Sequence, residues 1–256
     1  MERSRHVFLA VEGKIMEIAE YEKMYKLEGD YWWWVGRRKL IKNILDKLDL
    51  NSATILDVGC GTGINLKYLS GYGAAIGVDS SQDALNFCRK RGLKNVRRAD
   101  AERLSFQNNT FDLITALDLL EHVDDNKALK GFYRILKPNG YLVLTVPAFN
   151  FMWSQHDEAS HHKRRYNKRQ LKSILEANGF IIEKVSYWNF FFFVPIAVVR
   201  LIKRSWKNKG AKTDVAELPR IINSLLTSVL GIESCLIRRL NLPVGVSLIC
   251  LARVHK

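Results

Sequence analysis

The 256 residues include only four cysteines and five prolines, and 26 acidic side chains face 40 lysines and arginines. Cys60, Cys88, Cys235 and Cys250 are scattered and form no C-x-x-C pair. That spacing excludes a zinc knuckle and a disulfide framework, so no metal is expected and the thiols are read as reduced. The longest apolar stretch, 188–199, is interrupted by Asn189 and Pro195 and falls short of the about 20 residues that cross a bilayer. Arg3 and Arg5 are soon followed by Glu12, Glu17 and Glu20, so no secretory leader is expected and the reading is cytoplasmic. A 47% hydrophobic, 11% aromatic composition excludes a disordered or collagen-like chain and is ample for one sizeable core. The remaining oddity is a net charge of +14. Net charge bears on association rather than fold, and an excess of this sign suits nucleic acid, an anionic membrane surface or an anionic substrate.

From about residue 53 short apolar runs alternate with helical patterns. Strands are expected at 54–58, 74–78, 96–99, 111–117 and 141–146, and helices at 64–69, 83–91 and 127–136. Ser80 or Ser81 can cap the second of these helices, and Lys137-Pro138-Asn139-Gly140 reads as a turn before the fifth strand. The alternation predicts a parallel sheet with helices on both faces, whose ligands sit beyond the carboxyl ends of the strands. Further on, 167–177 reads as a helix, 180–187 and 244–254 as strands, and 218–240 carries an apolar stripe of near-helical period.

The strand ends carry the chemistry. The first runs into Asp57-Val58-Gly59-Cys60-Gly61-Thr62-Gly63, where glycines permit a sharp turn and close approach to a ligand. Asp79 ends the second strand, and a carboxylate there suits the paired hydroxyls of a ribose. Asp100 follows the third. Dinucleotide enzymes space their glycines G-x-G-x-x-G, whereas here Gly63 follows Gly61 by two. In these residues the chain resembles the class I S-adenosylmethionine-dependent methyltransferases, over about residues 50–187 and 244–256. The resemblance implies a doubly wound, Rossmann-like α/β fold with a seven-stranded sheet. A helical cap would span 1–50, and a helical, apolar and basic insertion, either lid or membrane-contacting, would span 188–243, before the last strand. It implies S-adenosyl-L-methionine as cofactor, held by Asp57, Gly59, Gly61, Gly63, Asp79, Ser80, Asp100 and Ala101. Leu117, Asp118 and His122, after the fourth strand, would lie near the transferring methyl group.

Two flanking segments are candidates for the rest of the site. In Tyr31-Trp32-Trp33-Trp34-Val35-Gly36-Arg37-Arg38, Trp33 can wall the cofactor and Arg37 or Arg38 can pair with its carboxylate; the alternative is an amphipathic helix packed on the sheet. In 147–166, His156, Asp157, His161, His162 and Tyr166 are candidates for acid–base work, and Trp153, Arg164 and Arg165 for an anionic acceptor. The phenylalanines at 190–193 precede Arg200, Lys203, Arg204, Lys207 and Lys209, a pattern suited to the face of an anionic bilayer. A second cluster, Arg89-Lys90-Arg91 with Lys94, Arg97 and Arg98, reads as a solvated face. The expected activity is O-methylation of an anionic lipid-linked or polyisoprenoid acceptor by a protein peripheral to the inner membrane. A quinone or other small-molecule methyltransferase, an RNA methyltransferase and an inactive binding scaffold are the alternatives.

Overall fold

The computed structural model describes residues 18–205 and 218–256. Arg3, Arg5, Glu12, Glu17, Lys207 and Lys209 lie outside the described residues, as do the side chains of Lys203 and Arg204. Two N-terminal helices, α1 (Ile18–Leu27) and α2 (Trp32–Leu45), precede a regular alternation. It runs β1 (Ala53–Val58), α3 (Ile64–Leu69), β2 (Gly73–Asp79), α4 (Gln82–Lys90), β3 (Val96–Arg98), β4 (Phe111–Leu117), α5 (Asp125–Ile135) and β5 (Leu136–Pro147). A short 3-10 turn (Asn150–Met152), α6 (Gln155–Ala159) and α7 (Lys168–Ala177) lead to β6 (Phe180–Trp188). Helices α8 (Phe193–Ser205) and α9 (Arg220–Arg239) then precede β7 (Ser247–Val254).

The sheet has seven strands in the order β3-β2-β1-β4-β5-β7-β6. Strands β1 to β5 pair in parallel, as expected, and the central ones are buried on both faces, which explains their unbroken apolar runs. The sheet has the seven strands that the resemblance implied, and β7 runs antiparallel between β5 and the edge strand β6. The Lys137–Gly140 turn is corrected. It lies inside β5 as an irregularity, with Asn139 at φ 60° and the register against β4 shifted between Phe111 and Leu113. Helix starts follow cap chemistry. Ser81 Oγ accepts the Ala84 amide, Asp124 that of Lys127, and Asn167 that of Gln170.

One face of the sheet is covered by α2 and α9, which are nearly 190 residues apart in the chain. Leu40 and Ile44 of α2 and Leu230 and Ile237 of α9 share a core with Ile55, Leu113 and Val143 of the sheet. Gly36 makes this crossing possible, since a Cβ there would stand 2.3 Å from Leu230 Cδ1. Polar ties reinforce it: the Trp32 amide donates to Asn223 Oδ1 (2.8 Å), and Asn43 Nδ2 to Ser234 Oγ (2.9 Å). Glu233, buried in α9, accepts the amides of Asn189, Phe190 and Phe191, so α9 also anchors the chain leaving β6.

Leu230→Ala empties the closest point of the α2–α9 contact. It is expected to lower the unfolding free energy by about 2–5 kcal/mol, read from the denaturant midpoint. A loss under about 1 kcal/mol would show that α9 is not part of the core.

Candidate functional site

The turn after β1 is built on the end of β2. The amides of Gly59 and Cys60 both donate to the Val78 carbonyl (2.8 and 3.0 Å), and the Gly61 amide donates to Asp79 Oδ2 (2.9 Å). Gly59, Gly61 and Gly63 have φ of 71°, 53° and 89°, the left-handed region that side chains resist. A Cβ on Gly63 would also strike Leu93 and Cys88. Asp79 Oδ1 accepts the Ser81 amide (2.9 Å); burial raises this carboxyl's pKa, and the backbone donors oppose the rise.

Asp57 and Arg37 stand behind the turn. Asp57 is buried, its Oδ1 accepts the Thr115 hydroxyl (2.6 Å), and its Oδ2 has no partner. Burial pushes its pKa up to about 7. Arg37 is 7% exposed and pairs with Asp118, leaving its buried Nε unpartnered. Asp118 itself has φ 53° and accepts the Thr145 hydroxyl (2.8 Å). An unpartnered acceptor and an unpartnered donor close together suit the ammonium and carboxylate of an amino acid, and Asp79 suits a diol. The residues present therefore fit S-adenosylmethionine.

The N-terminal helices contribute in a way the sequence did not announce. Tyr21 of α1 is buried beside Asp79 and Ser81, its pKa pushed up to about 12 chiefly by burial. Met24 approaches Gly61. Glu28 accepts the Thr62 hydroxyl and pairs with Arg91 at 2.6 Å, while Arg91 also donates to the Thr62 carbonyl and lies 4.4 Å over the Tyr25 ring. Arg91 is thus a clamp holding α1 on the glycine turn, which corrects its reading as a solvated charge. Arg98 donates to the Ser80 carbonyl (2.9 Å). No signal local to α1 marks it, because its function depends on contacts with residues 61–91.

Other candidates have partners within the protein, and these correct the ligand reading of Arg38. Trp33 packs against Trp188, with centroids 4.8 Å apart, and belongs to the helix–sheet packing. Arg38 donates to the carbonyls of Glu28 and Gly29 and fastens the α1–α2 turn. Asp100 is exposed and its Oδ1 accepts the Glu102 amide (2.9 Å), while Ala101 and Leu117 are buried in the packing beneath the strand ends.

In the 147–166 loop the centre is Asp157, fully buried. Its carboxylate accepts the amide and hydroxyl of Ser154 and takes Arg165 Nε (2.7 Å) and Nη2 (3.0 Å). It also lies 2.8 Å from His162 Nδ1. Burial alone would raise its pKa, but the His162 and Arg165 bonds outweigh it and hold the carboxyl well below the usual range. Asp157 is therefore an organiser, and Arg165, 4% exposed and also bonded to the Ala148 carbonyl, is a strut where an acceptor clamp was expected. Tyr166 is likewise buried, its hydroxyl donating to Leu120 O and Asp125 Oδ2. Trp153, His156, His161, His162 and Arg164 stay half-buried, with Arg164 paired to Asp125 at 2.6 Å and His161 at φ 55°. His162 packs edge to face on His122 (4.8 Å) and on His156 (5.9 Å). The structure thus joins the loop after β4 to the loop after β5.

Residues 56–144 match the family described as a methyltransferase domain. Over that stretch the chain is similar to this family, and its seven-stranded sheet matches the fold of solved S-adenosylmethionine-dependent methyltransferases. Among curated relatives, an uncharacterized protein of Methanocaldococcus jannaschii is 35% identical over 127 residues, 49% of this chain and 47% of that one. A ubiquinone biosynthesis O-methyltransferase of Coxiella burnetii is 31% identical over 147 residues, 52% of this chain and 63% of that one. The chain spans about half to two thirds of the length of these relatives. A phosphoethanolamine N-methyltransferase from Haemonchus contortus, solved with S-adenosyl-L-methionine, superposes with a TM-score of 0.58 at 19% identity. The superposition covers 95% of this chain and 61% of that one.

Asp57 yields a pH prediction. Its folded pKa lies near 7 against an ordinary value near 4, so between those limits the folded state holds a proton the unfolded chain has released. Stability relative to Asp57→Asn is expected to fall as pH rises through that window, seen in denaturant midpoints of ligand-free protein. A rise would contradict the assignment.

Proposed function

We propose that this protein is an S-adenosylmethionine-dependent methyltransferase that methylates an oxygen of an anionic, lipid-linked or polyisoprenoid acceptor at a membrane surface. The observation that carries the cofactor is the Asp79 carboxylate set by the Gly61 and Ser81 amides at the mouth of the glycine turn. The cofactor, when bound, supplies the electrophilic methyl group. The chain's residues orient it and exclude water: Asp79 takes the ribose hydroxyls, Asp57 and Arg37 the amino-acid end, and α1 covers the turn.

The acceptor is read from the surface of α8 and α9. Val194, Val198, Val199, Leu201 and Ile202 are exposed on α8, and Ile221, Ile222, Leu225, Ile232, Leu236 and Leu240 on or just beyond α9. Among the described residues α9 is one helix long and apolar enough to cross a membrane by length and composition, although it packs on α2. Apolar faces beside basic residues suit an interfacial seat, where burial and attraction to anionic lipid act together. His161 and Lys163 remain to meet an anionic head group, since Arg164 is paired with Asp125 and Arg165 with Asp157. Similarity to ubiquinone biosynthesis O-methyltransferases favours a second reading, a quinone precursor, which shares the apolar tail and the oxygen acceptor.

Asp79→Ala is expected to weaken S-adenosylmethionine binding by tenfold or more in calorimetry; unchanged binding overturns the cofactor assignment. In liposome flotation, recovery is expected to rise with anionic lipid and to fall in the double variant Val198→Asp/Leu201→Asp. Equal recovery in all arms removes the membrane from the reading.

A further inference from the structure

Glu121, in the loop after β4, is fully buried, and neither of its carboxylate oxygens has a hydrogen-bond partner. Burial raises its pKa well above the ordinary glutamate value. A buried carboxyl with no partner is costly and calls for an explanation, of which a bound cation is one.

Its neighbours supply the rest of a ligand set. Glu121, His122 and His162 each offer one ligand atom, and these atoms lie within 4.8 Å of one another. Ligands of a tetrahedral ion sit about 3.4 Å apart, so modest side-chain rotation closes the set. The histidines are prepared for the role. His162 Nδ1 is held 2.8 Å from Asp157 Oδ1, which leaves Nε2 to present a lone pair. A carboxylate behind a ligating imidazole in this way fixes its tautomer and orientation. Asp157 is in turn fixed by Ser154 and Arg165. His122 packs edge to face against His162, with ring centroids 4.8 Å apart.

We propose that Glu121, His122 and His162 bind a divalent transition-metal ion of the zinc type, between the loops after β4 and β5. Two imidazoles and a carboxylate select Zn²⁺ over Mg²⁺, which prefers an all-oxygen shell. The ion satisfies the orphaned Glu121 oxygens, and three protein ligands leave one position of a tetrahedral ion open. That the open position takes an acceptor oxygen rests on the methyl-transfer reading; the metal site does not. The scattered cysteines gave no sign of it because its ligands include none, and two of them are 40 residues apart in the chain.

The test is equilibrium dialysis of the chelator-stripped full chain against Zn²⁺ and against Mg²⁺, with thermal unfolding in both. One equivalent of Zn²⁺ is expected, undisplaced by excess Mg²⁺, with a rise in melting temperature. Glu121→Gln and His162→Gln should each weaken uptake tenfold or more, and Cys235→Ser, which alters an exposed thiol, should leave it unchanged. Uptake below one equivalent, equal uptake of Mg²⁺, or uptake retained in both ligand variants overturns the site. Calorimetry with S-adenosylmethionine on the same stripped protein separates the two readings: cofactor binding without Zn²⁺ uptake ends the metal proposal alone, and uptake without cofactor binding ends the methyl-transfer reading alone.

Discussion

The closeness of the turn after β1 to the end of β2 is the constraint on which the site depends. Three successive amides, from Gly59, Cys60 and Gly61, are drawn onto the penultimate carbonyl and the terminal carboxylate of the neighbouring strand. The turn has left-handed backbone at alternate positions, and at Gly63 a Cβ would also strike Leu93 and Cys88. The same contact fixes Asp79 at the mouth of the cleft, aligns the Thr62 hydroxyl toward Glu28, and gives α1 a surface to cover. Loosening the turn would release the ribose-binding carboxylate and the helix above it together.

A second buried carboxylate, Asp157, does for the acceptor loop what Asp79 does for the cofactor loop. It gathers a serine, a histidine and an arginine from a twelve-residue stretch around one desolvated charge. A buried charge is tolerated only when it is paired and hydrogen-bonded, and removing a partner leaves a cost of several kcal/mol. The loop therefore has a fixed shape, and His162 is delivered against His122. Glu121 is the counter-example beside it, equally buried and with no hydrogen bond to its carboxylate.

The parts of the fold visible in the sequence are those whose physics is local. Strand β4 reads correctly because its apolar run is bounded by turn residues, and α7 because Asn167 and Gln170 form a capping box. The glycine turn reads correctly because its backbone geometry admits so few residues. The antiparallel direction of β7 was not readable, since an apolar run carries no arrow. The roles of Arg38, Arg91 and Arg165 were misread for a related reason. An arginine beside a cleft in sequence is equally suited to ligand, water or a buried carboxylate, and only the partner decides.

The sequence by itself determined the alternation of elements, the turn after β1 and the acids at the ends of β1 and β2, because each rests on side-chain period or backbone permission within a few residues. Tertiary structure alone decided that α2 and α9 form one layer, that α1 is clamped on the glycine turn through Glu28 and Arg91, and that Glu121 lies without a hydrogen-bond partner near two histidines. Those outcomes depend on desolvation and on contacts between residues tens to nearly two hundred positions apart, and neither is encoded in local pattern.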